Sequence, residues 1–464
     1  MITLENRFFP LRSAVCFLVE GGIILFSVLS SYLILHSAGN IRILTFEEAV
    51  IRGLVIAFFC QGCMYLLDLY DLRLTQTWGE IFFSLMFAVG VVSIGIGIIT
   101  YMVPGFGIEA RMYYLTLLLL AIALLIWRIS FYYYIDRVAP RQNILVVGVG
   151  DVAGLVGKEI KNWKMHGFNL AGFVGPTSGN SVDVEGIGKV LGNYEQIREI
   201  VRKNGISKVV AAIAERRGEY PMKEMLDLRV SGRQVVEWHG FFEKLSGRIP
   251  VDYLAPSFFI FNQGFRKSKI VLFTRRVLST VIAAAVLLLL SPLFLLVAIL
   301  VKLDSPGPVI YSQTRVGQKG KVFRIYKFRS MKDNAEVNDV PRWAEKDDPR
   351  ITRVGRILRM YRIDELPQLF NVVRGDLDLV GPRPERPEFV EKLERMIPFY
   401  SLRHTLKPGL TGWAQIQFMY SGTLEESREK FQYDLFYIKN MSIKLDLLIL
   451  FQTIKIVILG RGAR

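Results

Sequence analysis

The chain has 464 residues, and 58 Lys and Arg against 42 Asp and Glu give it a net charge of +16. Its residues are 51% hydrophobic, gathered in long blocks between stretches of ordinary polar sequence, which excludes a plain soluble enzyme and describes a membrane protein with attached soluble domains. The positive charge leaves anionic lipid or a phosphorylated substrate as partners; the apolar spans, with no zinc-finger, RRM or helix-turn-helix pattern, exclude nucleic acid.

Four apolar stretches, 13–37, 49–70, 80–103 and 112–135, are near the roughly 20 residues a helix needs to cross a bilayer. The first is too long for a cleaved signal peptide and reads as a retained span. Arg7 and Arg12 precede it, and Arg137 and Arg141 follow the fourth, which puts both ends on the cytoplasmic side. Glu20 and Arg52, inside or at the edge of spans, are expected to face other helices or to snorkel to the interface. Cys60-Gln61-Gly62-Cys63 has metal-ligand spacing but no second pair, and reads as small residues in a helix.

Residues 141–260 alternate strand and helix patterns: strands at 143–147, 170–174, 208–213 and 234–238, with helices between them. This predicts a Rossmann-like α/β domain with a parallel sheet. Gly148-Val149-Gly150-Asp151-Val152-Ala153 is a partial dinucleotide fingerprint. No acid ends the second strand to hold a ribose hydroxyl, so both a structural or regulatory domain and a nucleotide-binding one stay open. A basic linker (261–273) leads to the apolar run 277–301, interrupted by Ser291-Pro292. Pro292 breaks a regular helix. From the segment alone a kinked span is the simpler reading, but a full crossing would export the Lys- and Arg-rich segment 302–464, against the positive-inside rule. A re-entrant helix keeps it inside. The tail 443–459 reads as an amphipathic interfacial helix.

The chemistry concentrates in the last third. Seven basic residues and no acidic ones lie between Arg315 and Lys332, including Lys327 and Arg329. Arg350, Arg353, Arg356 and Arg359 recur every three residues, which on a helix makes a basic stripe suited to clamping a diphosphate. Next come Asp364-Glu365 and then Gly381-Pro382-Arg383-Pro384. Adjacent carboxylates on a helix point about 100° apart and so have different jobs. One can attack phosphorus while the other braces a metal or a cation.

Lys327-Phe328-Arg329-Ser330-Met331, Asp348-Pro349-Arg350-Ile351-Thr352-Arg353-Val354-Gly355, Asp364-Glu365-Leu366-Pro367-Gln368, Gly381-Pro382-Arg383-Pro384 and Lys407-Pro408-Gly409-Leu410-Thr411-Gly412 occur in that order. The set resembles the bacterial sugar transferases, the monotopic polyprenyl-phosphate phosphoglycosyl transferases, over about residues 270–464. The whole chain resembles their long members, which carry four membrane helices (here 1–140) and a Rossmann-like domain (141–260) ahead of a mixed α/β catalytic domain (261–464) with a re-entrant helix (277–301). The resemblance implies transfer of a hexose-1-phosphate from a UDP-sugar to undecaprenyl phosphate with release of UMP. This step initiates exopolysaccharide, O-antigen or capsule synthesis at the bacterial inner membrane, with the soluble domains in the cytoplasm. It further implies Asp364 as nucleophile, Glu365 as its partner, and Mg²⁺ at this pair. Pro382-Arg383-Pro384 would lie at the nucleotide end, Lys327 and Arg329 on a basic strand beside the site, and Ser291-Pro292 at the helix break. Arg350, Arg353 and Arg356 complete the expected phosphate-binding set. A homodimer fits the surface that the added domains supply. Two rivals are an NAD-dependent sugar-nucleotide dehydratase using the Gly148 loop and a non-catalytic membrane scaffold. The first needs a Tyr-x-x-x-Lys pair that Tyr194 and Tyr220 do not provide.

Overall fold

The computed structural model describes residues 11–38, 45–67, 69–70, 78–102, 109–138, 141–163, 167–176, 184, 186–213, 220–332, 348, 350–418 and 423–460. Arg7, His166, Asp347 and Pro349 lie outside them. The chain divides into two units, residues 1–246 and 247–464.

The first unit begins with four apolar helices: α1 (Leu11–Ser37), α2 (Phe46–Leu66), α3 (Trp78–Met102) and α4 (Ala110–Arg137). In hydrocarbon a chain must satisfy its own backbone hydrogen bonds, and a helix does so within one segment. Thr45 and Glu48 close a capping box at the start of α2, which supplies partners for two orphan donors. Stretches 13–37, 46–66 and 110–135 are long and apolar enough to cross a membrane, as is 269–289 in the second unit; the apolar run described in α3 is the shorter 82–97. Glu20 and Arg52 both face inward, at 0% and 6% exposure. The partner of Glu20 is Arg128 of α4, also 0% exposed, which the hydropathy pattern conceals. Arg128 Nε lies 2.6 Å from Glu20 Oε1, and Nη1 donates to the Leu69 carbonyl at 2.6 Å. The charges neutralise each other where an unpaired one would be costly.

The same unit continues with β1 (Gln142–Val147), α5 (Asp151–Asn162), β2 (Phe168–Gly175), β3 (Val190–Asn193), α6 (Ile197–Lys203), β4 (Lys208–Ala211), α7 (Met222–Val230), β5 (Gln234–Glu237) and α8 (Trp238–Ser246). The strands form one parallel sheet in the order β3-β2-β1-β4-β5, the Rossmann-like arrangement expected from the alternation. β3 is the strand that the sequence pattern did not disclose; it is four residues long and half exposed. Ile144 to Val147 are fully buried at the sheet centre. The chain reverses direction across the sheet beside β1, and the Gly148 turn sits there. Gly148 has φ +133, and an added Cβ would lie 2.3 Å from the Ala212 carbonyl oxygen. Gly148→Ala is therefore expected to destabilise this domain by about 2–4 kcal/mol, read as early proteolytic cleavage within 141–246 of the full chain.

The second unit starts with 247–253 and α9 (Pro256–Phe261). The sequence reading assigned 247–260 to the middle domain; its contacts place it here. α10 (Lys269–Leu289) and α11 (Ser291–Asp304) follow, broken at Leu290. Pro292 can donate no backbone hydrogen bond, and Ser291 Oγ donates to the Leu288 carbonyl at 2.8 Å. Next come the antiparallel strands β6 (Ile310–Val316) and β7 (Val322–Phe328), then α12 (Arg353–Met360), α13 (Gln368–Arg374), β8 (Asp378–Val380), α14 (Pro387–Met396), β9 (Gly409–Thr411), α15 (Trp413–Gln417), α16 (Leu424–Asn440) and α17 (Ile443–Ile458). β8 and β9 pair in parallel. Buried Arg275 of α10 ties these elements together: Nε reaches Asp446 Oδ2 at 2.5 Å, and Nη2 reaches Tyr437 Oη at 2.5 Å and the Val380 carbonyl at 3.1 Å.

Candidate active site

Asp364 and Glu365 lie in a single 3-10 turn, Ile363–Glu365, between α12 and α13, rather than on a regular helix. Neighbouring side chains there diverge by about 120°. The turn is entered through Arg362, which has φ +52. A non-glycine residue in that region is held by its surroundings at a local energetic cost. Asn371 of α13 secures the turn from one side: its Oδ1 accepts from Tyr326 N at 3.1 Å and its Nδ2 donates to the Arg324 carbonyl at 2.7 Å. That contact brings β7 alongside the carboxylates.

Both carboxylates are buried, Asp364 at 7% exposure and Glu365 at 9%, yet their environments differ. Glu365 Oε1 accepts from Lys327 Nζ at 3.0 Å and from Arg383 Nη2 at 2.7 Å. Burial alone would raise its pKa, but Arg383 and Lys327 outweigh burial and hold it well below the usual carboxylate range. Glu365 in turn keeps the Arg383 guanidinium firmly charged. Asp364 has no hydrogen bond or ion pair among the described residues. Burial pushes its pKa up to about 6, against the pull of Lys327. One carboxylate is thus clamped and ionised, while the other is ionised at neutral pH but unclaimed.

The other sequence-predicted residues divide. Lys327, near the end of β7, and Arg383, in the turn after β8, converge on the pair. Pro382 and Pro384 frame Arg383: the Pro382 carbonyl accepts from Gly409 N at 2.9 Å, and the Pro384 carbonyl from Arg315 Nη1 at 3.4 Å. Arg329 is 6% exposed and its Nη2 donates to the Ser305 carbonyl at 2.6 Å, pinning the end of α11. The expected arginine stripe does not form one clamp. Thr352 caps α12, so Arg350 lies before the helix, where its guanidinium is bound by Asp348 at 2.5 Å. Arg353 and Arg356 are exposed on α12. Arg359, not put forward as a site residue from sequence, is the stripe member whose charge bears on Asp364; its Nε donates to Ser330 Oγ at 3.0 Å. The arginine periodicity included it, but position relative to the carboxylates decides which members matter.

Mg²⁺ was expected at the pair. Among the described residues no group of three or more His, Cys, Asp or Glu side chains is arranged for a metal. Two neighbouring carboxylates, one of them unpaired, nevertheless fit an ion that takes one or two carboxylates and completes its shell with phosphate oxygens and water.

Residues 270–460 match the family described as bacterial sugar transferase, and residues 65–226 match a CoA-binding domain. The chain is 46% identical over 224 residues to a UDP-N-acetylgalactosamine-undecaprenyl-phosphate N-acetylgalactosaminephosphotransferase of Aeromonas hydrophila, covering 48% of this chain and 52% of that one. It is 32% identical over 336 residues to an undecaprenyl-phosphate glucose phosphotransferase of Komagataeibacter xylinus, covering 69% and 60%. A UDP-glucose:undecaprenyl-phosphate glucose-1-phosphate transferase of Caulobacter vibrioides is 45% identical over 182 residues, covering 39% and 68%. The chain thus spans 52% of the Aeromonas relative and 60% of the Komagataeibacter one. Residues 270–460 match the family description, and the chain is 45% identical to the Caulobacter transferase and covers 68% of it: the chain belongs to the bacterial sugar transferase family.

Proposed function

We propose that this protein transfers a hexose-1-phosphate from a UDP-sugar to undecaprenyl phosphate and releases UMP, the step that initiates a surface polysaccharide. The observation that carries this reading is the unequal carboxylate pair. Asp364 is free to attack the phosphorus next to the sugar. The bond to the second phosphate breaks, UMP leaves with that electron pair, and the sugar phosphate is held on Asp364 as an acyl phosphate. The phosphate oxygen of undecaprenyl phosphate then attacks the same phosphorus and frees Asp364, giving the polyprenyl diphosphate sugar. Lys327 and Arg383, oriented by Glu365, offset the charge of the diphosphate as an anionic nucleophile approaches it. Asp364 and Glu365 are the residues that would hold Mg²⁺, which would supply further neutralisation of the diphosphate oxygens. The test is nucleotide release by the full chain with Mg²⁺, undecaprenyl phosphate and a panel of UDP-sugars. UMP is expected; UDP would overturn the mechanism.

The same reading places the transferase unit in the cytoplasm on a re-entrant hairpin. Ser279 of α10 lies against β8, its Oγ accepting from Leu379 N at 3.5 Å. On α11, Val297 and Val301 pack with Phe328 and Leu358. Between Ser279 and the break at Leu290 the helix advances about 17 Å, against a hydrocarbon core of about 30 Å. Both limbs are anchored in one domain, and the tip residues Leu288 and Leu289 are 79% and 76% exposed. That supports insertion and return over a full crossing. The apolar residues Leu447, Phe451, Ile454 and Ile458 on the outer face of α17 support an interfacial contact beside it. Single cysteines replacing Arg266 and Lys321, on either side of the hairpin, are expected to react with an impermeant thiol reagent from the same face of inverted vesicles. Labelling from opposite faces would establish a fifth crossing.

A further inference from the structure

The segment 247–253, between α8 and α9, is held along its length. Ile249 and Val251 are each 1% exposed. The Gly247 carbonyl accepts from Trp413 Nε1 at 2.7 Å, and Arg248 Nη1 meets Glu429 Oε1 at 2.6 Å. Ile249 N donates to the Gln432 carbonyl at 3.1 Å, and Asp252 pairs with Arg428 at 3.3 Å. Gly247 has φ +66, and an added Cβ would sit 3.1 Å from the Trp413 ring.

Everything this segment grips leads to Arg383 by a short path. Trp413 stacks on Phe436 of α16, with ring centroids 5.6 Å apart, and directly follows β9 and Gly412. There Gly381 N donates to the Thr411 carbonyl and Gly409 N to the Pro382 carbonyl, each at 2.9 Å. A Cβ on Gly412 would lie 2.2 Å from the Gly381 carbonyl oxygen, so β9 and the turn carrying Arg383 are in backbone contact. The second path runs through α16. Asp434 Oδ2 accepts from Arg403 Nη2 at 3.1 Å, and the same nitrogen donates to the Arg383 carbonyl at 2.8 Å. Arg403 is 5% exposed and Asp434 2%; Arg403 also contacts the Tyr400 hydroxyl and lies over its ring. Arg383 closes both paths on Glu365.

We propose that residues 247–253 form a positioning strap for donor binding: by bracing Trp413 and α16 from behind, they hold the Arg383 turn where it meets the donor diphosphate. This rests on the role given to Arg383 under Proposed function. The strap residues touch no substrate, so their substitution acts through Arg383 and on the half-reaction that uses the UDP-sugar.

The experiment uses the full chain in detergent, with UMP release as readout and UDP-sugar binding measured by calorimetry alongside. Arg248→Glu is expected to raise the donor KM roughly fivefold, with kcat within about twofold and the undecaprenyl phosphate KM unchanged. Adding Glu429→Arg is expected to restore the donor KM. In an Arg383→Lys background Arg248→Glu is expected to add no further loss. Independent, multiplying effects in that background, or no rescue by the charge swap, would overturn the strap. Trp413→Phe keeps the stack on Phe436, removes the bond to Gly247, and predicts the same donor-specific loss should Arg248→Glu fail to fold; an unchanged donor KM in it is equally fatal. A wild-type protein that neither binds nor cleaves any UDP-sugar takes down the functional reading and the strap with it. An active wild type with an unaltered Arg248→Glu variant sinks the strap alone.

Discussion

Asp364→Asn is expected to abolish UMP release, by a factor of at least about 10³–10⁴, while the protein still folds and inserts. The amide has the size of the carboxylate but cannot form the acyl phosphate, so the loss falls on the chemical step rather than on donor binding. Folding should be spared because, among the described residues, Asp364 carries no hydrogen-bond or ion-pair partner that the substitution would orphan. Stability should even improve in one pH range. Burial raises the folded-state pKa of Asp364 to about 6 from the ordinary carboxyl value of 3.8. The folded state therefore binds this proton more tightly than the unfolded one. The stability linked to it is fully present below the unfolded pKa and is lost as pH rises through about 6. In metal-free buffer, melting of the asparagine variant is expected to match wild type near pH 4 and to exceed it at pH 7. Residual UMP release near the wild-type rate would show that another group is the nucleophile.

Glu365→Ala should behave in the opposite way. Glu365 is the shared counter-ion of Lys327 and Arg383, whose side chains are partly buried at 20% and 29% exposure, and truncating it leaves both without it. Removing one member of a fully buried pair costs about 3–5 kcal/mol and the solvent access of these two lowers that, so a drop in melting temperature below that range is expected together with loss of transfer. Glu365→Gln keeps an acceptor for one of the two donors and should fall between. The comparison that decides is Asp364→Ala against Glu365→Ala, followed by thermal unfolding of the full chain in detergent at pH 7. Equal destabilisation by the two would show that the carboxylates share one structural role rather than dividing the work as holder and nucleophile.

Some of this protein was written in contiguous residues. The strand and helix alternation between 141 and 246, the long apolar helices and the break at Ser291-Pro292 follow from periodicity, residue volume and the missing proline N–H, all of which act within a few residues. The candidate carboxylates were legible because Asp364 and Glu365 are neighbours in a recognisable motif. What each carboxylate does was not legible. That depends on Lys327 from β7 and Arg383 from the turn after β8 reaching Glu365 and leaving Asp364 alone. The arginine periodicity suggested one basic stripe with Arg350, Arg353 and Arg356 as its phosphate ligands, but Thr352 starts the helix after Arg350, Asp348 occupies that guanidinium, and it is Arg359 of the stripe that bears on Asp364. The hydropathy pattern exposed Glu20 and hid Arg128, 108 residues away. It placed 247–260 with the sheet, although residues 247–252 bond to α15 and α16. Propensity and patterning are local, so the sequence alone determines the long, strongly patterned elements and their order, while a short half-exposed strand such as β3 escapes it. Burial, pairing and charge are set by side chains that meet across long stretches of chain, so the tertiary structure decides which carboxylate is free, which cation holds the other, and what braces that cation from behind.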